Sequence, residues 1–403
     1  MRSVAGVARG PGLLRTPGLL TAMVMAAAAF GGFALLLPVV PLTVSDAGGG
    51  DAVAGAVTAT FMAATVATQL GTPALLRRCG HRVVLAAGCI ALGLPSLVLV
   101  WSALTPVVLA VSAVRGVGFG LLTVASSALV AELVAPERLG RASGLQGIAI
   151  AATQMAGLPA GLALYHRFGA VPAIVVGAVV PVLALAAIAR LPTLHPRHRP
   201  RGGARLPFAA LAYPLTALGA AAVAYGAVAS LLPIAVSQRA TLAGALLAVV
   251  SGAMLVGRYS AGTVSDRFGP GRVVAPAAAC ATVGLALLAL AVAVDPVAAV
   301  YVLGAVAFGL GFGAVQNDSL VMVFALAGPG RTAPASAAWN IGFDAGTGLG
   351  SLSLGVVAAV AGYPWMLVVA ACVVALAPTV VALATLGARR DATALRGVDR
   401  VES

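Results

Sequence analysis

Gly-Arg-Tyr-Ser-Ala-Gly-Thr-Val-Ser-Asp-Arg-Phe-Gly-Pro-Gly-Arg, residues 257–272, closes one long apolar run, and another opens at Val273. Asp266, Arg267, Gly269 and Arg272 read as a tight loop at a membrane surface, since the segment is too short and too charged for anything else. Gly262 lets a neighbouring backbone approach closely, and Gly269 supplies the positive φ that a reversal needs. Asp266 can complement the positive N-terminus of an adjacent helix, while the arginines can bind anionic lipid or helix C-termini.

The runs on either side of this loop are typical of the whole chain. Its 403 residues are 61% hydrophobic and 9% charged, and the mean hydropathy is +1.06. Apolar runs of about 20 residues, each able to cross roughly 30 Å of hydrocarbon, repeat about 12 times. A soluble α/β protein with unusually apolar strands would show runs several times shorter.

A net charge of +13 invites a nucleic-acid partner, but the placement of the charge argues against one. All 24 basic residues are arginines. They gather in the N-terminal tail, around 77–82, at 138–141, across 190–205, at 267–272, at 331 and after 388, which all fall on one side of an alternating topology. The other side holds only Arg167 and Arg239, while Arg115 and Arg258 lie inside spans. By the positive-inside rule both termini are cytoplasmic. No nucleic acid is expected as a partner; the lipid bilayer is.

Cys89, Cys280 and Cys372 fall in spans and Cys79 in a loop, with no spacing that suggests a disulfide or a metal site. The first apolar run lacks a small-residue cleavage pattern and reads as a retained span rather than a removable signal.

In order, the spans read as 17–44, 53–76, 83–103, a fourth from Pro106, 142–165, 170–189, 208–236, 241–263, 273–294, 297–325, 334–360 and 365–386. Residues 190–207, with five arginines, two histidines and four prolines, cannot span and read as a linker between 1–189 and 208–386, with 387–403 as a tail. The two parts repeat one another. Gly80 and Gly269 lie 189 residues apart, and Gly116-Val-Gly-Phe-Gly120 matches Gly309-Leu-Gly-Phe-Gly313 at a distance of 193. Such a duplication is the parallel repeat seen in some secondary transporters. His81, in the first short loop, reads as solvated.

The pattern Gly262, Asp266, Arg267, Gly269, Arg272 resembles the loop between helices 2 and 3 of the major facilitator superfamily, which recurs there between helices 8 and 9. In the first copy here Arg77 stands in place of the Asp, and Pro73 in place of the first Gly. Arg115 with the glycines after it is similar to the family's helix-4 pattern, and Gly157-Leu-Pro-Ala-Gly161 is loosely like its helix-5 pattern. The resemblance implies an all-α membrane protein of twelve helices in two pseudo-symmetric six-helix bundles. It also implies alternating access around a midplane site, with the short loops taking part in gating.

Four charges lie inside spans: Arg115, Arg258, Asp318 and Asp344. A charge in hydrocarbon costs from about 3 to more than 10 kcal/mol, so each is a candidate for proton coupling or substrate binding. Gln316 and Asn317 beside Asp318, and Asn340 one turn before Asp344, join them as polar neighbours. A structural role is the alternative for each: a carboxylate paired to Arg258 or to helix ends, or a polar cluster around Asp318. No nucleophile–base set, phosphate loop or metal spacing is present, so no enzyme activity, metal or cofactor is expected.

Likeness to small bacterial efflux permeases implies an inner-membrane monomer that exports a small hydrophobic or amphipathic molecule against protons. An importer on the same fold and a non-transporting membrane sensor are the alternatives. A cysteine introduced at Gly203, in the 190–207 segment, should resist an impermeant maleimide added to intact cells; labelling from outside would overturn the charge-based topology.

Overall fold

The computed structural model describes residues 16–134, 139–192, 206–294, 297–328, 331–376 and 378–379. The 190–207 segment falls mostly outside those residues, and the 387–403 tail entirely so. Among the described residues eleven α-helices follow one another: α1 Leu19–Asp46, α2 Gly50–Gly93, α3 Thr105–Leu133, α4 Leu139–Phe168, α5 Ala170–Ala189, α6 Phe208–Ala235, α7 Ala240–Phe268, α8 Val274–Val294, α9 Ala298–Ala327, α10 Thr332–Ala361 and α11 Tyr363–Leu376.

α2 is two spans joined by a reversal. Gly116 and Gly120 of α3 lie against the carbonyls of Phe61 and Thr65, while Gly118 lies against Gly88 and Leu92. Phe61 and Gly88 would stand about 40 Å apart along one straight helix at 1.5 Å per residue. Both meet the same short stretch of α3, so the chain folds back between them. The break is Gly80, with φ 75° and ψ 167°. With its two arms counted separately, the helices are consistent with the twelve expected. The second arm ends as a 3₁₀ segment, Leu94–Val100. Pro95 sits at its start and has no N–H to continue the α-helical ladder.

The stretch that opened the sequence reading needs one correction. α7 continues through Phe268, so Asp266 and Arg267 belong to its last turn and not to the loop. Gly269 ends the helix at φ 85° and ψ 161°. Gly80 has nearly the same backbone, so the first copy keeps the reversal although its sequence has diverged. The close helix contact comes at Gly257, which lies against the Leu310 carbonyl; a Cβ on Gly262 would meet only Asn317, at 3.5 Å.

The repeat is visible as equivalent contacts. Gly116 on Phe61 in the first half corresponds to Gly309 on Val250 in the second. Gly161 of α4 rests on Leu35 of α1 as Gly350 of α10 rests on Val223 of α6. Phe119 and Phe312, equivalent positions of α3 and α9, each carry an aromatic stack: Phe33 lies on Phe119 at 4.2 Å and Tyr225 on Phe312 at 4.7 Å, although Phe33 and Tyr225 stand one helical turn apart in the repeat. Glycine is needed because lipid tails are as apolar as side chains, and close backbone approach is what draws membrane helices together.

The halves meet along α2 and α10, α1 and α6, and α4 and α7. Near the α1–α2 connection they fit closely: Gly55 packs on Ser351, and Thr58 Oγ1 and Ser230 Oγ share a hydrogen bond of 2.9 Å. There α1 from Gly32 to Leu42 is buried on every side, whereas the opposite ends of α1 and α6 are partly exposed. The halves therefore close at the α1–α2 face and part towards the face of the Gly80 and Gly269 turns. Outside, α5 exposes Val179 and Leu183, and α8 exposes Val283 and Leu290, an apolar surface suited to hydrocarbon. Gly161→Val and Gly350→Val should each destabilise the protein by about 1–3 kcal/mol through overpacking. A clear drop in melting temperature of the detergent-purified protein is expected for both.

Candidate functional site

Asp344 lies twelve residues into α10, about 18 Å from its start at 1.5 Å per residue. It is 4% exposed. Gln69 Nε2, from the first arm of α2, donates to Asp344 Oδ2 at 2.6 Å and to Thr123 Oγ1 of α3 at 3.1 Å. Thr123 hands its own proton to the Gly120 carbonyl, which leaves its oxygen free to accept. The carboxylate is thus held by a neutral amide from the other half of the molecule. Asn340 does not reach it: its amide donates back to the Ser336 carbonyl at 2.8 Å.

Arg258 of α7 is the counterpart of Gln69 in the second half. Its Nη1 donates to Gln316 Oε1 at 3.4 Å, and no carboxylate pairs with it among the described residues. Arg115 is buried with its guanidinium over the Phe61 ring at 5.4 Å. Its Nε and the Ser112 hydroxyl have no hydrogen-bond partner, and both residues border a cavity of about 10 Å³ with Thr58, near the closed face. The sequence brought Arg115, Arg258 and Asp344 forward together, but the structure gives them separate partners.

Asp318 has a different setting. Fully buried on α9, its carboxylate accepts from Ser265 Oγ at 2.7 Å and from the backbone N–H groups of Gly271 at 3.1 Å, Val273 at 3.0 Å and Val274 at 3.1 Å. It therefore caps the N-terminus of α8 and ties down the α7–α8 turn, as a carboxylate at a helix's positive end should. Nearby, Trp339 Nε1 donates to Ser319 Oγ at 3.1 Å, and Asn317 faces Gly262. Arg267 and Arg272 are exposed, and the Asp266 side chain lies outside the described residues.

Two features escaped the sequence reading. His81 is buried, not solvated, with Nδ1 3.7 Å from Glu132 Oε2 of α3. At the closed face, Tyr165 and Tyr363 donate hydroxyl bonds of 2.5 Å to Asp46 and Asp51, the second joining the two halves. Gln69 could have been found earlier, because the 189-residue repeat places it opposite Arg258.

The fold and this interior define a multi-span membrane protein of two repeated halves packed around a largely apolar interior. The sequence profile of the Major Facilitator Superfamily matches residues 22–350, and the chain belongs to that family. Family membership points to a transporter rather than an enzyme. No curated protein sequence matches. Among solved structures, the chain is similar to a D-xylose–proton symporter at 14% identity and a TM-score of 0.72, covering 90% of this chain and 96% of the other. It is similar at 14% identity and TM-score 0.71 to a bacterial homologue of the human lysosomal transporter Spinster in an inward-facing, occupied conformation, covering 91% and 96%. The nucleoside transporter NupG, at 13% identity and TM-score 0.70, covers 92% and 99%. At these identities the likeness is one of fold.

Asp318→Ala should cost on the order of 3 kcal/mol, since it strips charge-assisted bonds from buried N–H groups. Faster amide exchange at Gly271, Val273 and Val274, with a lower melting temperature, is expected; unchanged exchange would mean the carboxylate does not hold the turn.

Proposed function

We propose that the protein is a proton-coupled exporter of a small hydrophobic or amphipathic molecule. In this reading it works as a monomer in a bacterial inner membrane, with both termini, the 190–207 linker and the Gly80 and Gly269 turns on the cytoplasmic side. The observation that carries it is Asp344, a buried carboxylate whose hydrogen-bond partner, Gln69, belongs to the opposite half.

An ionised Asp344 accepts from the Gln69 amide and links α10 to α2. A protonated Asp344 is neutral, can itself donate, and no longer places a charge in hydrocarbon. Gln69 Oε1 is buried without a partner, an acceptor left open on the same amide. Binding or losing one proton therefore changes the preferred contact across the interface that must rearrange during alternating access. Arg115, Arg258, Gln316, Asn317 and Asn340 supply the remaining polar groups of the interior. Asp318 and the turn carrying Gly262, Asp266, Arg267, Gly269 and Arg272 belong to the gating framework. The helices around the centre are rich in Ala, Val, Leu and Gly and poor in hydrogen-bonding groups, which suits an apolar cargo better than a sugar.

Import is the second reading, because the fold neighbours include a proton symporter as well as a nucleoside transporter. Everted vesicles separate the two: an exporter accumulates cargo when the vesicle lumen is acid, and an importer does not. Asp344→Asn mimics the protonated form and should abolish gradient-driven accumulation, by tenfold or more, while the protein still folds. Normal proton-driven transport in that variant would make Asp344 a structural residue.

A further inference from the structure

The internal repeat allows the two sides of the interface between halves to be compared position by position. Gln69 and Arg258 are 189 residues apart, as are Met155 and Asp344, and Thr123 and Gln316 are 193 apart. These are the same offsets that relate Phe61 to Val250, Gly161 to Gly350 and Gly116 to Gly309, whose contacts repeat in space. The polar contacts repeat as well. Gln69 Nε2 donates to Thr123 Oγ1 at 3.1 Å, and Arg258 Nη1 donates to Gln316 Oε1 at 3.4 Å.

The third member of each set is where the symmetry fails. On one side α10 brings Asp344 to Gln69. On the other, α4 packs against α7 and carries Met155 at the equivalent position. The neutral amide thus has a carboxylate, and among the described residues the guanidinium has none. Asp318, two residues beyond Gln316, is already held by Ser265 and three backbone N–H groups. A guanidinium presents five N–H donors in a planar fork that fits a carboxylate in two-point fashion. Keeping one inside a membrane protein without an anion is unfavourable, so a strong unfilled preference remains at this position.

We propose that the cargo supplies the missing anion: the transported molecule is an amphipathic organic acid whose carboxylate docks on Arg258, in the place that Met155 leaves without an acid. The proposal rests on the transport reading above and narrows it from hydrophobic molecules in general to carboxylate-bearing ones. Its headgroup takes the role towards Arg258 that Asp344 takes towards Gln69, and its apolar part is left to the aliphatic interior.

The test uses the full-length protein purified in detergent, with benzoate and octanoate as probes, each beside its amide and its amine. Binding is read by ligand-induced thermal stabilisation. The wild type should bind at least one carboxylate about tenfold or more tighter than the matching amide and amine, as expected for a charge-assisted pair. Arg258→Gln rebuilds the Gln69-like pair with Gln316, so it should fold, and it should erase that preference. Arg258→Lys should keep part of it. Met155→Asp, which puts an acid where the repeat places Asp344, should also erase the preference without lowering stability. Carboxylates bound no better than amides by the wild type, or a preference that survives both Arg258→Gln and Met155→Asp, would overturn the proposal. Proton-linked flux in everted vesicles is scored separately. Asp344-dependent flux with no carboxylate preference overturns only this inference, whereas Arg258-dependent carboxylate binding with no proton-linked flux upholds it and removes the export reading.

Discussion

Lipid offers helices no hydrophobic reason to associate, so everything in this molecule depends on backbone reaching backbone at close range. Gly116, Gly120, Gly309 and Gly313 let α3 and α9 lie directly on the carbonyls of α2 and α7. The same device joins α1 to α4 and α6 to α10. These contacts fix the rotation of each helix about its axis. That rotation in turn decides which few polar side chains look inward: Gln69 and Thr123 in one half, Arg258 and Gln316 in the other. A methyl group at the glycine positions would disturb both packing and site.

The duplicated architecture carries a deliberate-looking inequality. Both halves use the same glycine-terminated turn, with nearly the same φ and ψ at Gly80 and Gly269. Both stack an aromatic ring on the equivalent Phe119 and Phe312, from positions one helical turn apart on α1 and α6. Yet the turn of the second half is held by a fully buried carboxylate, whereas beside that of the first His81 only approaches Glu132, at 3.7 Å. Intramembrane charge is also unevenly distributed. Asp344 has no acidic counterpart at Met155, and Arg115 has Phe308 in its repeat position. A perfectly symmetric carrier would have no chemical distinction between its two sides; the departures from symmetry are where such a distinction can reside.

Most of the fold was legible in the sequence because membrane spans obey a single length rule and the repeat survives in glycine spacing. The two offsets, 189 and 193, recur in the spatial contacts to within a residue. The ends of elements were harder. Asp266 and Arg267 read as loop because they are charged, but a helix end beyond the hydrocarbon tolerates charge, and α7 runs on to Phe268. Partners were the least legible. Charge alone singled out Asp344, Asp318 and Arg258, whereas the group that binds Asp344 is an uncharged Gln, and the groups that bind Asp318 are mostly backbone N–H, which no side-chain pattern announces. His81 read as solvated because nothing near it in sequence foretold Glu132, 51 residues away.

A turn containing Gly269 and Gly271, both at positive φ, is where one would look for a joint that bends. Asp318 removes that freedom by gripping both sides of it from α9. α7, α8 and α9 are consequently riveted together at this end, and the turn behaves as a handle rather than a hinge. Force applied to it, whether from lipid headgroups around Arg272 or from a neighbouring helix, passes into α9 without being absorbed. Any displacement of this end would therefore carry three helices together, as one lever arm.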